Sequence, residues 1–200
     1  HGAFQGYAEP KVKFKKELSV VVAHSVKGEI KTFPLVETWQ DDGICEATVG
    51  PAKVPATVEK KCYDLAKKVI LAFKGVGVFG VEMFWLNNGD VVINEVAPRV
   101  HNTGHWTEDG CTVSQFEQHL RAVLGLKLAE AEFTAGGVTM VNINRKSEGD
   151  ATDELLMEAL KGVGADTFVH WYGKVGALKR RKLGHVNALA ANPASALKKA

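Results

Sequence analysis

The dipeptide Asn88-Gly89 sits between two apolar runs, residues 78–86 and 91–97. A tight reversal flanked by such runs specifies an antiparallel hairpin, because both residues tolerate the positive φ of a type I′ turn. With a two-residue turn, counting outward pairs Asn87 with Asp90, Leu86 with Val91, Phe84 with Ile93 and Glu82 with Glu95. Phe84 and Ile93 are then expected to share the face of the two glutamates. Directly opposed side chains on one face of a sheet have Cβ atoms roughly 4.5–5.5 Å apart. Two carboxylates so placed repel, and a bound cation, a shared proton or solvent must offset the repulsion. A hard divalent cation such as Mg²⁺ suits two carboxylates with open positions for phosphate oxygens. A solvated pair at a sheet edge is the plainer alternative. A polar loop carrying Arg99, His101, Asn102 and His105 follows the second strand at once.

Upstream, the β-branched run Glu17 to Val22 reads as a buried strand. Lys27-Gly28 is a turn signal, Ile30 to Thr38 the returning strand, and Ile44 to Val49 a third strand after the Asp41-Asp42-Gly43 turn. Thr57 to Phe73 has the spacing of an amphipathic helix, with Thr57 as N-cap and Val58, Cys62, Leu65, Val69 and Phe73 on one face. Gly75, Gly77 and Gly80 form no phosphate loop, since no GxGxxG precedes a helix and no GK[ST] follows. Close backbone packing accounts for them. Thr112 to Leu124 reads as a second helix, with a Thr112/Gln115 capping box, Gly125 at C′, and Val113, Phe116, Leu120 and Val123 as its buried stripe. His119 borders that stripe and reads as packing. Strands are expected over Gly137 to Asn144, Thr167 to Trp171 and His185 to Leu189, a helix over Asp153 to Leu160, and a frayed tail or a linker over 192–200.

Two histidines spaced His101-x-x-x-His105 invite a zinc reading. Asn102, Thr103 and Gly104 disfavour the helix that this spacing needs, and Cys111 completes no zinc pattern. A net charge of +2, with basic runs confined to residues 11–16 and 179–182, gives no reason to expect a nucleic-acid partner. No apolar run has bilayer-spanning length and no signal peptide is evident, so no membrane association is expected. Three cysteines without a CxxC suit a reducing, cytoplasmic compartment. The chain begins with His1, as expected of a processed, truncated or partial polypeptide.

Glu82, followed by Asn94-Glu95-Val96-Ala97-Pro98-Arg99-Val100-His101-Asn102-Thr103-Gly104-His105-Trp106-Thr107, resembles the metal-binding strand pair and following loop of the ATP-grasp enzymes. More narrowly, it resembles the 5-(carboxyamino)imidazole ribonucleotide synthases of purine biosynthesis. The runs Ser114 to Ala122 and Gly184-His185-Val186-Asn187 extend the likeness, which covers roughly Tyr7 to Leu189. The resemblance implies an α+β fold: the C-terminal lobe of an ATP-grasp domain over 1–127, an antiparallel sheet with packed helices, and a small β-rich module over 128–191.

It also implies a chemistry. ATP phosphorylates bicarbonate to carboxyphosphate, releasing ADP, and carboxyphosphate carboxylates the amine of aminoimidazole ribonucleotide, releasing phosphate. By resemblance, Glu9, Pro10, Lys11 and Val12 match the hinge that pairs with adenine, and Glu17 the carboxylate that accepts from the ribose. Gln40 stands where the family usually has His. Glu82 and Glu95 match the Mg²⁺ ligands, Asn94 supports them and also contacts ATP, and Arg99 stabilises the developing oxyanion. His101, Lys174, Arg181 and Lys182 address the nucleotide substrate. The chain departs from the pattern at Arg145, where a strand-ending glycine is expected, and at Ala177 to Arg180, where an Arg-Pro-Gly turn is expected. The family's glycine-rich lid and phosphate-holding lysines, which precede this region, are not in the chain. The expected partner is therefore the missing N-terminal half or a separate chain supplying it, with a homodimer possible. The alternative is a non-catalytic relic of the fold serving as a structural or interaction subunit.

Overall fold

The computed structural model describes residues 9–144, 152–174 and 181–200. Tyr7, Arg145 and Ala177 to Arg180 lie outside the described residues. The strands are β1 (Phe14–His24), β2 (Ile30–Thr32), β3 (Val36–Asp41), β4 (Ile44–Gly50), β5 (Gly77–Leu86), β6 (Val91–Ala97), β7 (Gly137–Asn144), β8 (Thr167–Trp171) and β9 (Lys182–Ala190). The helices are α1 (Ala56–Phe73), α2 (Thr107–Gly110), α3 (Gln115–Leu124), α4 (Thr152–Lys161) and α5 (Pro193–Lys199). The strands join in one sheet ordered β6-β5-β1-β3-β4-β7-β9-β8, with β2 added to β1, and every pairing is antiparallel. The expected antiparallel sheet with packed helices is what forms. The β4–β7 ladder carries the sheet without a break into the last third of the chain.

β1 lies inside the sheet with both faces covered, which is why it reads as a continuous apolar run rather than an alternating one. Leu18, Val20 and Val22 pack with Val58, Cys62, Ala66 and Ile70 of α1. Val21 and Ala23 face the other way, towards Phe33, Trp106, Leu128, Val138 and Met140.

The central hairpin differs from the simple count in two places. Its turn has three residues, because the Leu86 amide donates to the Asp90 carbonyl and the Gly89 amide to the Leu86 carbonyl. Gly89 takes φ +90° while Asn88 stays in the ordinary region. This is a type I turn closed by a glycine bulge. The type I′ geometry appears instead at Asp42-Gly43, both with positive φ, between paired Asp41 and Ile44. Trp85 therefore faces Val91, Phe84 faces Val92 and Met83 faces Ile93. A β-bulge between Met83 and Glu82 then admits Asn94 as an extra residue and restores Glu82 opposite Glu95. Ile93 consequently turns to the α1 side, away from Phe84.

Other local readings are corrected. Pro55, without a side-chain bond, caps α1, and Thr57 lies inside the helix. Ser114, not Thr112, caps α3, accepting from the Glu117 amide, while Gly125 ends it at φ +66° as expected. The expected strand Ile30 to Thr38 breaks into β2 and β3 around Phe33, Pro34 and Leu35. Phe116, Leu120 and Val123 of α3 are exposed, and Gln115, Gln118 and Ala122 face inward. The glutamines win the buried face because they satisfy backbone groups there: Gln118 pairs with both the amide and the carbonyl of Ala129.

The expected tail holds α5, capped by Asn192, whose side chain accepts from the Ser195 amide. Gly136 and Gly137 lie so close to the backbone of Ala191 and Asn192 that no Cβ fits between them. Ala196 is fully buried. A charged Ala196→Asp is expected to cost about 2–5 kcal/mol in urea unfolding; a neutral effect would show the segment frayed after all.

Candidate active site

One cleft of about 370 Å³ opens on the sheet face opposite α1, and it is lined by Glu17, Gln40, Cys45, Glu82, Phe84, Asn94, Glu95, His101, Asn102 and Lys182 among others. The register explains the gathering. Glu17 of β1 faces Phe84 of β5, Ser19 faces Glu82 and Glu82 faces Glu95, so these side chains share one face. The bulge brings Asn94 and Glu95, successive residues, into the lining of the same cleft.

His101 sits across the top of the acidic pair. Its Nδ1 lies 3.9 Å from a Glu82 carboxylate oxygen and its Nε2 3.9 Å from one of Glu95. Nδ1 also bonds Thr103 Oγ1 at 2.9 Å, which in turn bonds Ser19 Oγ at 2.7 Å. The backbone is held too: buried Gln115 accepts from the His101 amide and donates to its carbonyl. A Cβ at position 80 would stand 2.5 Å from the His101 Cβ, so Gly80 is what lets the loop come this close. The glycines of this stretch thus serve close approach, as expected.

On the far wall, Lys182 of β9 donates to Asn102 Oδ1 at 2.9 Å. Asn102 and Asn142 exchange amide bonds of 2.8 Å, joining the loop to β7. Neither Asn102 nor Gln115 was singled out in the sequence as a site residue. Each looks like an ordinary loop or helix amide until the topology brings its partner near.

The electrostatics favour a bound cation. Burial, with Glu95 and Glu17 close by, pushes the Glu82 carboxyl up to about 7, although Lys182 and the Asn94 amide act the other way. Burial also raises Glu17, and its Oε2 is buried without a hydrogen-bond partner. Burial first, then Arg99, Lys182 and His105, pushes His101 down to about 4, so the imidazole is neutral at pH 7. Burial lowers Lys182. An all-oxygen donor set with uncompensated negative charge fits Mg²⁺ better than a soft metal.

The remaining expected site residues stand apart. Glu9, Pro10, Lys11 and Val12 form an exposed segment leading into β1, outside the cleft lining. Arg99 is exposed, and its guanidinium donates to the Val100 carbonyl at 2.9 Å. Lys174 is exposed, its ammonium 4.7 Å from the centre of the Tyr172 ring. Arg181 is half-buried beside Lys182. A single 3-10 turn, Asn102–Gly104, follows His101, and His105 leaves it towards the opposite side, stacking on His185 at 4.9 Å. The two histidines therefore form no common metal site.

Paired strand carboxylates beneath a polar loop thus face a lysine across the cleft. Residues 1–116 match the model of the ATP-grasp domain, and residues 139–199 that of the phosphoribosylaminoimidazole carboxylase C-terminal domain. The chain belongs to the ATP-grasp family. Within that family it resembles the N5-carboxyaminoimidazole ribonucleotide synthases. It is 42% identical over 177 residues to the synthase of Bacillus subtilis, covering 88% of this chain and 44% of the relative. It is 41% identical over 188 residues to the phosphoribosylaminoimidazole carboxylase of Candida albicans, covering 92% and 33%. The structure of Aspergillus clavatus N5-carboxyaminoimidazole synthase with ADP and 5-aminoimidazole ribonucleotide has a TM-score of 0.86 at 38% identity, covering 94% of this chain and 50% of that one. The chain thus spans a third to a half of the length of these relatives.

The raised Glu82 has a direction for stability. Its folded value of about 7 lies above the unfolded one of 4.5. The native state therefore binds the extra proton, and the resulting stability is complete below pH 4.5 and lost as pH rises to about 7. Glu82→Gln is expected to abolish that fall and to raise stability at pH 8 by on the order of 2 kcal/mol in metal-free buffer. Parallel pH profiles of wild type and variant would refute the assignment.

Proposed function

We propose that this chain is the C-terminal part of an enzyme that uses ATP to carboxylate aminoimidazole ribonucleotide with bicarbonate. The division into an ATP-grasp lobe over 1–127 and a smaller module over 128–191 belongs to the same reading. The observation that carries it is the opposition of Glu82 and Glu95 on one face, with Asn94, His101 and Lys182 in the same cleft. Phosphoryl transfer asks a protein mainly for positioning and charge neutralisation. Glu82 and Glu95 would hold Mg²⁺, which when bound neutralises phosphate charge and orients the transferred group.

The chain's own residues do the rest. Asn94 lines the cleft with Glu82 and its amide draws the Glu82 carboxyl down. Glu17 brings an unpartnered carboxylate oxygen into the cleft, the role expected of an acceptor for ribose hydroxyls. Residues 9–12 supply the adenine-facing segment. His101, neutral at pH 7, and Lys182 face the acidic pair from the side where bicarbonate and the ribonucleotide would enter. Arg99, Lys174 and Arg181 are assigned to the oxyanion and the substrate phosphate. The rival reading, a relic that kept the fold, draws on Gln40, which lines the cleft where the family usually carries His.

Supplying the N-terminal segment of a relative as a separate chain tests the proposal. The isolated chain is expected to bind Mg²⁺ and nucleotide weakly and to turn over nothing. The reconstituted pair should hydrolyse ATP only with bicarbonate and aminoimidazole ribonucleotide present, and Glu82→Gln should lower that rate roughly 100-fold or more. A folded pair without such turnover supports the relic; full activity in Glu82→Gln overturns the metal assignment.

A further inference from the structure

We infer a second metal site, for a borderline divalent ion of the zinc class, formed by Glu108, His170 and His185 at the junction of α2 with β8 and β9. One donor atom from each lies within 4.8 Å of the others. None of the three lines the cleft of Glu82 and Glu95, and the proposed reaction gives them no task.

The cluster is built as ligands are built. His185 is 1% exposed, and its Nε2 has no hydrogen-bond partner although Glu108 Oε1 stands 3.4 Å away. Its other nitrogen is taken: Nδ1 lies 2.7 Å from the Tyr172 hydroxyl. His170 repeats the pattern. Its Nε2 lies 2.8 Å from Asp109 Oδ2, which fixes the hydrogen on that nitrogen and leaves the Nδ1 lone pair 3.6 Å from Glu108 Oε2. Asn187 donates to the same Asp109 oxygen at 2.6 Å and keeps that carboxylate in place. A buried imidazole that bonds a carboxylate or hydroxyl through one nitrogen and leaves the other bare is the arrangement that orients metal-ligating histidines.

Without a cation the arrangement is unfavourable. Glu108 is half-buried, and the His170 and His185 imidazole nitrogens stand 3.6 and 3.4 Å from its two oxygens, beyond good hydrogen-bond length. His105 Nδ1 adds a third nitrogen 3.3 Å from Oε1, and it already faces the Gln115 amide at 3.2 Å. Two imidazoles and one carboxylate suit zinc or cobalt rather than magnesium. The rings of His170 and His185 stack at 4.5 Å and 14°, so ligand distances of roughly 2.0–2.2 Å require them to tilt until both in-plane lone pairs point at the ion, with water in the fourth position. Such an ion would pin α2, which follows the His101 loop, to the C-terminal strands.

The test uses the whole 200-residue chain, stripped of metal and titrated with Co²⁺ by visible absorption and with Zn²⁺ by calorimetry. The expected result is one equivalent of Co²⁺ giving the intense bands of a four-coordinate site, displaced by Zn²⁺. Glu108→Gln and His170→Asn should each weaken binding at least tenfold, while Glu82→Gln leaves the spectrum unchanged. His170 is partly exposed, so its variant is expected to fold, which circular dichroism checks. Absence of the bands, equal affinity in folded His170→Asn, or their loss in Glu82→Gln would overturn the site.

Discussion

The structure depends on keeping two like charges face to face. Glu82 and Glu95 stand opposite each other on β5 and β6, one largely buried and the other half open to solvent. Water screens Glu95 but scarcely reaches Glu82, so the cost falls on Glu82 as a raised carboxyl. The fold tolerates that cost through connections that leave the pair no room to move apart. β5 is clamped between β1 and β6, and the Gly80 gap admits His101 over the pair. Gln115 then holds the His101 backbone at both its amide and its carbonyl. Raised carboxyls of this kind gather where a site is organised for charge.

From this pair the rest of the architecture acquires its sense. α1 covers one face of the sheet so that the other is free for the cleft. The continuous ladder from β4 through β7 to β9 brings Lys182 back, about a hundred residues later in the chain, to face the carboxylates. The Asn102–Asn142 amide pair ties the loop to that far wall. The C-terminal strands thus form part of the wall around the cleft. The exposed apolar stripe of α3, from Phe116 to Leu124, lies outside this arrangement.

Much of this was legible in the residues, for reasons that differ from element to element. The strand pair and the Glu82–Glu95 opposition followed from an apolar–turn–apolar pattern whose period is strict. The count succeeded through two offsetting departures, since the three-residue turn shifted the register and the Asn94 bulge restored it. Nothing local distinguishes those cases, because Asn88-Gly89 serves either turn. The fate of Ile93 was lost with them. The stripe on α3 misled because helical period alone cannot say which face is buried when glutamines have backbone partners waiting inside. For α5 the sequence does carry a signal, since Asn192-Pro193 is a sound cap-and-first-turn signature. Residues 9–12, Arg99 and Lys174 were named by family likeness, and they lie outside the lining of the cleft in this chain. The histidine stack carried no sequence signal at all, since its members come from three separate segments.

The central claim is that the opposed glutamates hold the metal of a metal–nucleotide complex. Crystals of this chain grown with Mn²⁺ and ADP, with anomalous diffraction collected to locate the ion, test it most directly. The account predicts an anomalous peak between Glu82 and Glu95 at coordination distance from both carboxylates, with the diphosphate completing the shell. A nucleotide bound with its metal elsewhere, and the two glutamates left to solvent, would contradict it.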